Sequence, residues 1–177
     1  MKKFAMLVVV GILFTTVQTG VAQNLLRGFS GIAWGTSIDV LQDLEETARS
    51  GDIRYYRRPG DFYRFAGITL PEVVYGFYKD RYFAAYLRVA SPEHFDKIKS
   101  YLQQRYGDPR AQLRIDQTIY IWDYLDAKIK LKQYQDHPEA KLAFYYVPLS
   151  IQANEARGSD KNVRIYPLDD LTPDYDF

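Results

Sequence analysis

Three groups of residues in this 177-residue chain are of types that do chemistry. Ser30 stands in Gly28-Phe29-Ser30-Gly31, which lacks the Gly-x-Ser-x-Gly spacing that presents a nucleophilic serine on a strand-to-helix turn. His94 and His137 are the only histidines and there is no cysteine, so the chain falls short of a zinc or other transition-metal ligand set. Asp123 and Asp126 flank a turn, with Asp116 nearby. Paired carboxylates do acid–base work, but aspartate is also a standard turn former. There is no glycine-rich phosphate loop ending in Lys-Ser/Thr and no His-Glu-x-x-His. The sequence therefore assigns no catalytic, metal-binding or cofactor-binding residue.

Recognition chemistry is better represented. The chain holds 16 Tyr, 10 Phe and 2 Trp, a composition suited to half-buried sheets. Tyr82, Tyr86, Tyr120, Trp122 and Tyr124 occupy strand positions that alternate with aliphatic residues, and Arg88 lies beside them. Arg54, Arg57, Arg58 and Arg64 cluster on neighbouring segments. Aromatic rings and arginine dominate interaction hot spots. The candidate binding surface is thus Tyr82, Tyr86, Arg88, Tyr120, Trp122, Tyr124, Arg57 and Arg58, facing a protein, peptide or glycan. The same rings would serve equally as core beneath helices, because alternation alone does not say which face the helices cover.

Those residues need a frame, and the chain opens with a segment that does not belong to it. Met1-Lys2-Lys3 is basic, Phe4 to Phe14 is apolar, and Gly20-Val21-Ala22 places small residues before a cut. That layout predicts a secretory signal peptide over 1–22 and a soluble periplasmic or secreted domain starting near Gln23. The apolar run, about 11 residues, is too short to span a bilayer. Without Lys2 and Lys3 the count is 21 bases against 22 acids, so no net field draws the protein to nucleic acid or an anionic membrane. Without cysteine the core must hold with no disulfide.

The remaining residues predict one α+β domain over 23–151. Thr36 caps a first helix whose face is Ile38, Leu41, Leu44 and Ala48, ending at Ser50-Gly51. Strands follow at 53–57 and, less regularly, at 62–70 with an interruption at Gly67. A hairpin covers 73–78 and 82–89. Ser91-Pro92 opens a second helix with the stripe Phe95, Ile98, Leu102 and Tyr106, stopped by Gly107. A second hairpin covers 118–124 and 127–134, where Ala127, Ile129 and Leu131 alternate with Lys128, Lys130 and Lys132, placing the lysines in water. Another strand spans 141–147. Residues 152–177 read as a polar linker and acidic tail, with four aspartates in the last ten residues and a short edge strand at 163–168. The tail is a candidate cover for Arg57 and Arg58. The expected architecture is an antiparallel sheet of about six strands with two helices on one face, in the order α-β-β-β-α-β-β-β. Tyr78-Lys79-Asp80 and Tyr124-Leu125-Asp126, at the two hairpin turns, point to a duplicated unit.

Phe29 to Ser37, the Tyr78-Lys79-Asp80 hairpin and the helix end Arg105-Tyr106-Gly107-Asp108-Pro109 together resemble a loose, mostly uncharacterised group of small exported bacterial proteins. A Trp-Gly-Thr/Ser entry and a Tyr-Gly-x-Pro exit recur in that group. The element order is also distantly similar to outer-membrane-assembly small lipoproteins, whose lipid-attachment cysteine is missing here, and to β-lactamase inhibitory proteins. The resemblance covers residues 29–147 and implies an exported α+β domain without a transferable catalytic residue. The expectation is a non-enzymatic envelope protein that binds an envelope protein, peptide or glycan. The alternatives are a small carboxylate-using hydrolase or a structural assembly factor.

Overall fold

The computed structural model describes residues 25–159. The predicted signal peptide, the edge strand at 163–168 and most of the acidic tail lie outside them. The described residues open with a miniature hairpin, β1 (Gly28–Phe29) and β2 (Ile32–Ala33). Trp34 then donates its indole N–H to the Leu25 carbonyl at 2.7 Å.

The predicted first helix does not form. Only Ile38–Val40 makes a 3₁₀ turn, capped by the Ser37 side chain, and Leu41 is already extended. The chain then turns at Asp43, with φ 60°, into β3 (Glu45–Ser50), which pairs with β4 (Ile53–Arg57) across Gly51-Asp52. Long-range packing overrides the helical spacing. Ile38, Leu41 and Leu44 rest against one apolar cluster and Ala48 against another, so the four never share a face.

The interruption at Gly67 is a turn. Ala66 and Gly67, with φ 51° and 74°, join β5 (Phe62–Phe65) to β6 (Ile68–Pro71) as a separate hairpin. The predicted hairpin β7 (Val73–Tyr78) and β8 (Arg81–Val89) forms around Lys79-Asp80, both at positive φ. Helix α1 (Pro92–Tyr106) starts and stops as its sequence dictates: the Ser91 side chain accepts from the His94 N–H, and Gly107 ends it at φ 83°. An unpredicted short strand β9 (Arg110–Leu113) precedes β10 (Gln117–Tyr124), β11 (Ala127–Tyr134) and β12 (Ala140–Tyr146). Helix α2 (Val147–Ser159) replaces the expected polar linker from residue 152 to its end and carries the packed structure past the expected boundary at 151.

The principal sheet has eight antiparallel strands rather than six, in the order β3-β4-β7-β8-β12-β11-β10-β9. It consists of two four-stranded meanders that meet along β8 and β12, each followed by a helix. The order β-β-β-β-α thus occurs twice along the chain, the first time with the β5–β6 hairpin inserted, in place of the expected α-β-β-β. Leu87 pairs with Leu142 at the seam, and α1 and α2 each begin five residues beyond that pair.

The helices lie on opposite faces, not on one. Phe95, Ile98 and Leu102 of α1 join Val73, Tyr75, Leu87, Ile129 and Leu142 in one cluster. Leu149 and Ala153 of α2 join Tyr55, Val74, Tyr86, Ala143 and Tyr145 in the other. A sheet covered on both sides loses its polar alternation, and every residue of β7 is buried. Lys130 and Lys132, expected in water, are each 3% exposed.

Candidate functional site

The predicted aromatic set does not converge on one open face. Tyr82 and Trp122 are buried in the cluster under α1, whereas Tyr86 is buried in the cluster under α2. A regular strand would put residues 82 and 86 on the same side. The register of β7 and β8 shifts at Gly76/Phe77, which flips the parity of β8 and sends the two rings to opposite faces. Trp122 is fixed further by its indole N–H, which donates to the Gly107 carbonyl at 2.8 Å. Tyr120 is half-buried beside Phe95, with the Lys99 ammonium 4.0 Å from its ring centre. Tyr124 is 44% exposed and leans on Tyr106.

The arginines are spoken for. Arg57 lies 3.5 Å from both Glu45 and Glu72, and Arg58 4.0 Å from Asp61. Arg88 pairs with Glu139, whose carboxyl that bond holds below the usual range. Arg54 pairs with Asp80 and also reaches the Tyr56 hydroxyl, which donates to Glu46.

The residues weighed for catalysis are likewise dispersed. Ser30 forms a turn at φ 52°. His137 stacks on Tyr134 at 4.5 Å, remote in the chain from His94 in the first turn of α1. Asp123 sits 3.5 Å from both Arg110 and Lys128, while Asp116 and Asp126 accept backbone bonds from Gln135 and Val147. Among the described residues no three histidine, aspartate or glutamate side chains are grouped to hold a metal ion.

The structure does form a concave site that the sequence reading missed. A cleft of about 630 Å³ opens between the β5–β6 turn and α1. Ala66 and Gly67 make one wall; Asp96, Lys97, Ser100, Tyr101 and Gln104 make the other. The five helix residues follow a helical spacing beside the buried stripe, so the same helix packs with one side and lines the cleft with the next. Tyr101 is anchored edge-on to Phe65 at 4.8 Å, which fixes the ring between hairpin and helix. Glu93 holds the Lys97 ammonium at 2.6 Å. The cleft thus offers one ring edge, one carboxylate, one ammonium, a hydroxyl and an amide. A signal existed in the polar stripe at 96, 97, 100 and 104, but it acquires a second wall only when the 62–70 segment is read as a hairpin.

The chain matches no protein-family model, no curated protein and no solved structure. Its Trp-Gly entry and Tyr-Gly exit are structural punctuation in this fold: Gly35 donates to the Tyr82 carbonyl, and Gly107 both ends α1 and receives Trp122. No helix among the described residues is long and apolar enough to cross a membrane.

Proposed function

We propose that this protein is exported to the cell envelope and acts by binding, without catalysis of its own, a short peptide or glycan segment in the cleft between the β5–β6 turn and α1. The observation that carries the reading is the shallow, open cleft itself, whose wall mixes one fixed ring with separated hydrogen-bonding groups that a chain lying across it can meet. Such a wall suits an uncharged or zwitterionic chain that presents hydroxyls and amides. Asp96 is the one carboxylate lining it, so the acid–base pair required by the rival hydrolase reading does not converge there. Export rests on the basic-apolar-small layout of residues 1–22 and on the resemblance to exported proteins.

Backbone NMR titration with soluble cell-wall fragments, and separately with short neutral peptides, tests the reading. Shifts should gather at Gly67, Asp96, Ser100, Tyr101 and Gln104, and Tyr101→Ala should weaken the response at least tenfold while the fold persists. Shifts scattered over the surface, or an unchanged affinity in the Tyr101 variant, would refute the site. Mass spectrometry of protein recovered from the envelope should find an N-terminus at or near Gln23; intact Met1 in all of it would refute export.

A further inference from the structure

The cleft beside α1 differs in charge between its two ends. Asp96 lines one end, in the second turn of the helix. The lysines next to it are engaged elsewhere: Glu93 holds Lys97 at 2.6 Å, and Lys99 lies over the Tyr120 ring at 4.0 Å. Among the described residues no cation pairs with the Asp96 carboxylate. Tyr101 and Gln104 line the other end, and Arg105 follows Tyr101 one helical turn later. The Arg105 guanidinium lies 5.8 Å from the Tyr106 ring centre and donates to the hydroxyls of Tyr106 and Tyr101, which favour its charged form. Among the described residues no carboxylate accompanies it, and Asp108, the nearest in sequence, accepts from Gln103 at 3.2 Å. A phenol that accepts from arginine keeps its own O–H to donate, so guanidinium and phenols together form a set of donors. Arg105 is exposed, which leaves that set open to solvent. A last-turn arginine suits the helix dipole, but that preference requires no phenols beside it. The counterpart of such a set is a carboxylate, which only accepts.

We propose that the ligand of this cleft is a short peptide with free ends rather than a neutral glycan, its carboxylate held by Arg105 and Tyr101 and its ammonium by Asp96. This rests on the cleft reading above and names the chemistry of its ligand. Asp96 and Arg105 are about 13 Å apart along the helix axis, at a rise of about 1.5 Å per residue. A single zwitterionic amino acid does not bridge that distance. An extended chain advances about 3.3–3.6 Å per residue, so at least about four residues are needed to reach both ends. Between the ends, Ser100 and Gln104 supply a hydroxyl and an amide for the peptide groups of such a chain, and the Tyr101 ring supplies apolar contact. A neutral glycan would meet the hydroxyl and the amide but leave both charges without a partner.

NMR titration of the full chain at low salt tests this with pentaalanine in its free-ended form, as its C-terminal amide and as its N-acetyl form, and with tetra-N-acetylchitotetraose as the neutral glycan. The free-ended peptide should shift Gly67, Ser100 and Tyr101, and should bind about three- to tenfold tighter than either blocked form. Arg105→Gln should erase the preference over the amide while the affinity for the amide itself stays as it was. Asp96→Asn should erase the preference over the acetyl form in the same way. Both positions are exposed, so the fold tolerates either change. Equal affinity for free-ended and blocked peptides, a preference that survives the matching substitution, or shifts produced by the glycan alone would each overturn this assignment and leave the cleft standing as a binding site. No shift with any of the probes would overturn the assignment and the cleft reading together.

Discussion

Tyr82 is fully buried, and its hydroxyl has no hydrogen-bond partner among the described residues. Burial, with Tyr75 and Tyr63 close by, pushes that hydroxyl far above its ordinary range, so it stays neutral. A buried unpaired hydroxyl costs about 1–3 kcal/mol, so Tyr82→Phe should leave stability unchanged or raise it by up to about 1 kcal/mol in chemical denaturation. A clear loss would show that the hydroxyl is bonded after all. Gly76 is crowded instead, since a Cβ there would meet Tyr86 at 3.2 Å and Ala84 and Phe83 at 3.3 Å. Gly76→Ala should cost about 1–3 kcal/mol, the usual range for overpacking. Leu102 of α1 is 0% exposed, and Leu102→Ala should cost about 2–5 kcal/mol.

Elements that announce themselves by local chemistry were legible; those made by distant partners were not. Helix α1 carries its cap, its proline, its stripe and its glycine in one continuous run, and the two hairpins carry their turn residues. The segment 36–50 has a helical spacing, but β4 offers it a backbone partner one tight turn away, and the partner wins. Helix α2 was hidden by its polar outer residues and by a contact made through Leu149 and the small residue Ala153, on a face no sequence pattern assigned to it. The buried aromatics were correctly placed on strands and wrongly grouped, because one register shift in β8 is invisible as periodicity. Ala153→Leu should therefore unseat α2 and cost about 1–3 kcal/mol, whereas Ile151→Ala, at a half-exposed position, should stay within about 0.5 kcal/mol. The β3–β4 hairpin has its own dependence on acidity. Glu46 is held below its ordinary value of 4.5, chiefly by its bond to Arg49. A depressed carboxyl stabilises the fold above 4.5 and loses that contribution as pH falls through its lowered folded value. Amide exchange in β3 should quicken on that acid side while β8 and β12 remain protected, and Glu46→Gln should abolish the difference.

At the scale of the molecule, the seam between β8 and β12 joins two meanders whose strands are otherwise consecutive in the chain. Most pairings are local, yet nothing closes the sheet until β12 has been made. Folding should be as slow as in other sheet-dominated domains, in the millisecond-to-second range, and β12 should gain protection together with β8 in pulse-labelled exchange. An open sheet also has two ends, and here they are unequal. The β3 end is guarded by Glu45, Glu46 and Arg49 and by an irregular register that twists it away from a flat approach. Among the described residues the β9 end has its shortness and Arg110 for protection, while Leu113 and, just beyond the strand, Ile115 stand 80% and 99% exposed. A strand edge that no other described strand pairs, beside bare aliphatic side chains, is a template on which a second polypeptide can lay a strand. Aggregation of concentrated protein should therefore begin at β9, and Leu113→Lys should delay it in light scattering without moving the melting temperature.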